Sequence, residues 1–181
     1  MVDTDFPWDD GPLNEALDLV KTKGKSTDEV ALYMVDEDLT DVQLIERLLT
    51  TGLIIQLQNG ITRLPALIKE HGRKGYESIS STLKKSMKEF DEDEYVLLCE
   101  AFTEILQNKY MTIEDIKDCL LPTIIKVICE AKDPEVMECY LALMTELIPL
   151  LDTSILETSI VKLALDKGEV NETAGARVVC G

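Results

Sequence analysis

The chain has 181 residues and a formal net charge of −17, and 45 % of its residues are apolar but only 5 % aromatic. This charge argues against binding to nucleic-acid backbones or anionic membrane surfaces, which need basic stripes that the sequence does not show. Abundant Leu and Ile with few aromatics favour packed helices over sandwiches or barrels. The sequence shows no signal peptide and no apolar run of bilayer length, which predicts a soluble, intracellular protein.

The first 25 residues are predicted to form an acidic, flexible segment. Phe6 and Trp8 lie in its middle, among acidic side chains. Two interpretations stay open: a solvated tail without further role, or a short linear motif that a partner recognises through the two aromatic side chains. The folded part is expected over residues 26–181.

Apolar periodicity predicts helices along that folded part. Thr40 and Gln43 have the spacing of a capping box, which predicts a helix start there and a stop at Gly52. The next apolar run should be kinked or divided at Pro65, because proline lacks the backbone N–H that a helix interior needs. A turn is expected over residues 72–75. The following helix should end near residue 90 and pair with the next one, over residues 95–106.

Residues 120–150 give the clearest pattern, that of a helical hairpin. Apolar residues recur at helical spacing up to Ile128, the pattern breaks at Asp133 and Pro134, and it resumes at Val136. Asp133 is expected to cap the second helix, and Pro134 fits its first turn. Before this hairpin, Thr112 should open a helix that Pro122 bends. After it, Asp152 or Thr153 should cap a helix over residues 155–165.

The hairpin has copies along the chain. A shift of 42 positions aligns residues 102–106 with residues 144–148. Two successive shifts of that size align Leu64 and Pro65 with Ile148 and Pro149. A two-helix repeat of about 40 residues is typical of the HEAT and armadillo class. We therefore predict an all-α fold, an α-solenoid of HEAT-like helical hairpins. The pattern shows no polar capping repeat at its end, so we expect residues 26–181 to be truncated at the C-terminus.

Patterns that indicate catalysis or ligand binding do not occur. His71 is the one histidine, without HxxxH or CxxC support, and is predicted to lie exposed in a turn. The acidic run at residues 91–94 fails as a calcium loop and is interpreted as an exposed helix start. The cysteines are expected to be buried, reduced thiols. We therefore predict a protein that is not an enzyme, with no catalytic residues, cofactor or metal.

The turns inside the hairpins are candidate contacts for a protein partner. In a solenoid, the helices pack against one another and the turns inside the repeats are exposed along one edge. Here those turns are expected at residues 90–93 and 131–134. The candidate partner-binding residues are Asp91, Asp93, Asp133 and Glu135. The alternative interpretation is that these acidic residues only start helices.

Two resemblances follow from these motifs. The segment LLPTIIKVI, the Asp133–Pro134 turn and the small and apolar residues after it resemble a HEAT repeat, although Met137 stands where many HEAT units carry Arg. The segment VDEDLTD at residues 35–41, followed by LLTTG and by Leu64 and Pro65, is similar to the N-terminal part of the protein phosphatase 4 regulatory subunit 4 family. That resemblance extends over residues 27–65 and 105–165.

The resemblance implies a non-catalytic, cytoplasmic regulatory subunit. Such a subunit would bind the catalytic subunit of a serine/threonine phosphatase and modulate its activity or substrate choice, and this chain would be the N-terminal piece of a longer protein. The alternative is a HEAT-repeat adaptor for another protein client, such as a transport or trafficking factor, whose basic surface would meet the acidic chain.

Overall fold

The computed structural model describes residues 39–168, and within that part all regular structure is helical. The helices are α1 (Asp41–Thr50), α2 (Ile54–Thr62), α3 (Leu64–Ser86), α4 (Glu92–Gln107), α5 (Ile113–Cys119), α6 (Leu121–Glu130), α7 (Pro134–Leu147), α8 (Thr153–Ile155) and α9 (Val161–Gly168). Short 3-10 turns follow α3 and α7, and a π-helical segment, Leu156–Ile160, joins α8 to α9. The predicted all-α class is confirmed for these residues.

The predicted helix starts are confirmed where they depend on a local cap. Thr40 and Gln43 form the capping box of α1, in which the Gln43 side chain accepts from the Thr40 backbone N–H at 3.1 Å. Thr112 caps α5 by accepting from the backbone N–H of Asp115. These caps pair backbone N–H groups that have no partner inside the helix, which is why sequence spacing predicts them well.

The predicted turn at residues 72–75 is wrong in its extent. The break is confined to Gly72, with φ 57° and ψ −141°, and the helix resumes at once, so that α3 consists of two arms. The division at Pro65 is confirmed, because α2 ends at Thr62 and Pro65 lies in the first turn of α3. Pro122 has the same place in α6, which follows α5 after a break at Leu120.

The helices contact one another in a regular order. Each successive pair α1 with α2, α3 with α4, and α6 with α7 packs together. Between these pairs, α2 contacts α4 and α4 contacts α7, while α1 contacts α3, α3 contacts α5, and α6 contacts α9. Large side chains that are almost fully buried, such as Phe102, Ile105 and Tyr140, fill the space between them.

Polar contacts also join helices that are distant in sequence. The Ser86 hydroxyl donates to the Leu49 carbonyl at 2.7 Å, and the hydroxyls of Tyr76 and Thr123 lie 3.2 Å apart in the core. The buried Lys117 ammonium donates to Asp152 at 2.6 Å. Because these groups are at least partly removed from water, their pairing fixes the relative positions of the helices that carry them.

Some predictions concern residues beyond this part. The acidic segment with Phe6 and Trp8 and its boundary at residue 25 lie outside the described residues. Within residues 39–168, no helix combines the length and the apolar character that a membrane crossing requires.

Candidate docking cleft

The starts of α4 and α7 lie side by side and enclose a cleft with the end of α6. The cleft has a volume of about 200 Å³. Its floor is formed by Phe90, Tyr95, Val127 and Val136. The two turns that the sequence singles out, residues 90–93 and 131–134, thus contribute to the same concave surface.

The floor of the cleft is apolar and well ordered by its own contacts. The rings of Phe90 and Tyr95 meet edge to face, with centroids 5.4 Å apart. The Tyr95 hydroxyl donates to the Met87 carbonyl at 2.7 Å, which holds the ring in place. Burial and, secondarily, the nearby Glu130 carboxylate raise the pKa of Tyr95, so this hydroxyl stays protonated and remains a donor.

The rim of the cleft is acidic. Four carboxylates line it, from Asp91, Glu92, Glu130 and Asp133, against one ammonium, from Lys132. Glu92, Glu130 and Lys132 are exposed. An apolar floor with a negative rim attracts a segment that carries both apolar and basic side chains.

Asp91 begins α4 together with Glu94. The two form a capping box, in which the Glu94 carboxylate accepts from the Asp91 backbone N–H at 3.1 Å. Glu94 is only 4 % exposed, and it also accepts from the Gln58 side chain of α2 at 2.9 Å. The interpretation of residues 91–94 as an exposed helix start is therefore wrong for Glu94, whose carboxylate joins two helices.

Asp133 begins α7 by itself. One of its carboxylate oxygens accepts from the backbone N–H groups of Glu135 and Val136, at 2.9 and 3.0 Å. Pro134 follows in the first turn, as predicted. Asp133 is half-buried and committed to this cap, so its contribution to the cleft is a fixed negative charge at the rim.

The other two predicted contact residues lie together beside the cleft. Asp93 and Glu135 line a shallow depression with Glu100 and Gln58. The structure therefore groups the four predicted residues as two pairs, Asp91 with Asp133 in the cleft and Asp93 with Glu135 next to it. Both Asp93 and Glu135 are exposed and accessible to a partner.

Sequence reasoning missed Glu130, Val127 and the role of Tyr95 in the cleft. Tyr95 and Val127 follow the apolar periodicity of their helices, which predicts only that they are buried. Glu130 ends α6 immediately before the break at residues 131–133. Its position next to a predicted turn was the one feature of the sequence that could have indicated that Glu130 belongs to the cleft.

One group of described residues has the ligand types and spacing of a metal site. The ligand atoms of Asp41, Glu70 and His71 lie within 4.8 Å of one another. All three side chains are exposed, as predicted for His71, and exposed carboxylates often lie this close without an ion. We therefore assign no metal to this group.

The cysteines differ in their environments. Cys99 and Cys119 are buried and Cys139 is half-buried, whereas Cys129 is exposed on α6, so the prediction of buried thiols is wrong for that residue. None of these four forms a disulfide. Cys180 lies outside the described residues.

The chain is distantly similar to one kind of curated protein. It is 22 % identical over 160 residues to the serine/threonine-protein phosphatase 4 regulatory subunit 4 of Homo sapiens, and likewise to that of Mus musculus. The alignment covers 88 % of this chain but only 18 % of each relative, so the chain spans less than a fifth of their length. No family model matches the chain, and no solved structure matches it significantly.

Proposed function

We propose that this chain is a non-catalytic regulatory or scaffold subunit that binds the catalytic subunit of a serine/threonine phosphatase of the phosphatase 4 type. In this proposal it acts in the cytoplasm and modulates the activity or the substrate choice of that partner. The observation that carries the proposal is the similarity over 88 % of the chain to proteins whose name is that of a phosphatase regulatory subunit.

We further propose that the helices form a HEAT-like α-solenoid. The order of contacts supports this. The helices α2, α4 and α7 contact one another in sequence and form one row, while α1, α3 and α5 do the same and form a second row. The polar ties support it as well, since Gln58 to Glu94, Ser86 to Leu49 and Arg73 to Asp115 span 36, 37 and 42 residues. Contacts between neighbouring repeats of about 40 residues have this spacing.

The cleft between the starts of α4 and α7 is the proposed docking site. It has a concave, apolar floor, and its rim carries a net negative charge. We propose that a segment of the catalytic subunit with an apolar side chain next to Lys or Arg enters it. Such pairing of opposite potentials increases the rate of encounter and selects the partner.

A binding titration with charge-reversed variants tests this proposal. Glu92→Lys and Glu130→Lys change two exposed rim residues that are not needed for helix capping. Combined, they should raise the Kd for the purified phosphatase 4 catalytic subunit by at least about tenfold, which corresponds to roughly 1.4 kcal/mol. Higher salt should reduce the difference between the variant and the unchanged chain.

The matched control reverses two exposed charges at the far ends of α4 and α7, the two helices whose starts enclose the cleft. Glu104→Lys on α4 and Glu146→Lys on α7 change the net charge equally and should leave the Kd within about twofold. Equal loss in both double variants would remove the cleft from the site. Failure of the unchanged chain to bind this catalytic subunit, with a different client retained from cytosol, would instead favour the adaptor function.

A further inference from the structure

Two thiols line one groove between α4 and α7, one helical turn beyond the cleft. Cys99 follows Tyr95 by four residues on α4, and Cys139 follows Val136 by three residues on α7. The two helices pack against each other, and both thiols line the same groove between them. The proposed phosphatase function makes no use of either side chain.

The two thiols line one groove but have different access to solvent. The side chains of Cys99 and Cys139 interact and shift each other's pKa. Cys139 in turn donates to the Val136 carbonyl at 3.2 Å. Cys99 is only 3 % exposed, whereas Cys139 is half-buried and can be reached from the groove.

This arrangement gives the two thiols different reactivity. The neighbouring Cys99 thiol lowers the pKa of Cys139, because it stabilises the thiolate form. The neighbouring Cys139 side chain, together with burial, raises the pKa of Cys99. The accessible thiol is thus the better nucleophile, and the buried thiol remains protonated beside it.

We propose that Cys99 and Cys139 form a thiol pair that low-molecular-weight disulfides such as oxidised glutathione convert into a disulfide across α4 and α7. The Cys139 thiolate attacks one sulfur of the small disulfide and releases one thiol, which leaves a mixed disulfide on Cys139. Cys99 then loses its proton to solvent and attacks the Cys139 sulfur, which releases the second small thiol. Two protein thiols are oxidised, and one small disulfide is reduced to two thiols.

The cross-link would connect the two walls of the cleft one turn from its floor. Tyr95 and Val136 line the floor and lie on the same helices as the thiols. A bond between α4 and α7 therefore limits how far these walls can separate. In a reducing compartment such a bond is transient, which suits a regulatory modification and not a structural one.

Oxidation of the full chain by oxidised glutathione, followed by peptide mass spectrometry, tests the pairing. We expect one cross-linked peptide pair joining Cys99 to Cys139, with the loss of two hydrogens, and its disappearance after reduction. Cys129→Ala removes an exposed thiol on α6 and should leave the yield of this cross-link unchanged. A cross-link between other cysteines, or no cross-link at all, would overturn the proposal.

Two serine variants test the order of the steps. Cys99→Ser keeps a hydroxyl donor beside Cys139 but cannot resolve the mixed disulfide, so glutathione should accumulate on Cys139. Cys139→Ser should leave Cys99 unmodified. Cys99→Ala removes the donor and should slow alkylation of Cys139 at neutral pH by roughly threefold to tenfold relative to Cys99→Ser.

Equal alkylation rates in those two variants, or glutathione on Cys99 in Cys139→Ser, would contradict the assigned roles. Circular dichroism of each variant shows whether it is folded. None of these measurements involves a phosphatase, so their outcome is separate from that of the binding titration.

Discussion

The starts of α4 and α7 occupy equivalent places 42 residues apart and are stabilised in different ways. Asp91 and Asp133 are the caps, and the third residue after each cap is Glu94 in α4 and Val136 in α7. Both of these side chains are buried, at 4 % and 3 % exposure. At α4 the buried residue is a carboxylate that bonds to α2, whereas at α7 it is an apolar side chain that packs.

The difference shows that the same position of the repeat can hold either a buried carboxylate or a buried apolar side chain, depending on the side chain that the neighbouring helix places beside it. Glu94 is tolerated in the core because Gln58 and the Asp91 backbone N–H both donate to it. The residue 42 positions after Gln58 is Glu100, which has no amide to donate. A carboxylate at position 136 would therefore have no donor from that side chain.

Exchanging the two residues should have the largest effect on stability. Val136→Glu should lower the free energy of unfolding by about 4 kcal/mol. It buries a carboxylate, and Glu100 offers it no hydrogen-bond donor. Urea denaturation followed by circular dichroism measures this change. The reciprocal change, Glu94→Val, should cost less, about 2 kcal/mol, because it leaves two donors unpaired but buries no charge. A larger loss for Glu94→Val would show that position 136 accommodates a carboxylate without a donor from position 100.

Removing the caps should have a smaller effect and should distinguish the two helices. Asp133→Ala should cost about 1 kcal/mol, because the backbone N–H groups of Glu135 and Val136 lose their acceptor. Asp91→Ala should cost about 0.5 kcal/mol, because Glu94 still holds the backbone at residue 91. Thermal unfolding of the two variants side by side provides the comparison. A larger loss for Asp91→Ala would mean that Glu94 does not support the start of α4.

The start of α5 adds a third case, in which the corresponding acid is partly exposed. Hydrogen bonds from the Thr112 hydroxyl and, to a lesser degree, from Arg73 lower the pKa of Asp115. A lowered folded-state pKa stabilises the fold above the ordinary carboxylate range and loses that contribution as pH falls through the folded-state value.

The free energy of unfolding measured between pH 6 and pH 3 should therefore decline more steeply in the unchanged chain than in Asp115→Asn. We expect a difference below about 1 kcal/mol, because the side chain is partly solvated. Parallel slopes would show that Asp115 is not coupled to folding.

Local chemistry explains which parts of the fold could be predicted from the sequence. The caps at Thr40, Thr112 and Asp133 and the prolines in first helical turns depend on residues within one turn of each other, so their spacing is sufficient. The extent of the break at Gly72 was not predictable in this way. A second glycine, Gly75, follows three residues later, and the sequence gives no sign that it lies within a helix.

The cleft was only partly predictable, because its parts come from separate helices. The sequence indicated the two turns, but the burial of Glu94 depends on Gln58, 36 residues earlier on a different helix. The placement of Cys99 and Cys139 in one groove likewise requires that α4 and α7 be neighbours. Patterns within one helix predict which face is buried and do not identify the side chain opposite it.

The backbone conformation at Gly72 also restricts the chirality of the amino acid that position 72 can hold. Its backbone, with φ 57° and ψ −141°, is close to the mirror image of the polyproline II conformation. Apart from Gly72 itself, its two chain neighbours and the adjoining helix backbone, no heavy atom lies within 4 Å of where a β-carbon would be, so space is not what restricts this position. A D-amino acid would adopt this conformation without strain, whereas an L-residue of equal size would not. The requirement for glycine between the two arms of α3 is thus one of stereochemistry and not of volume.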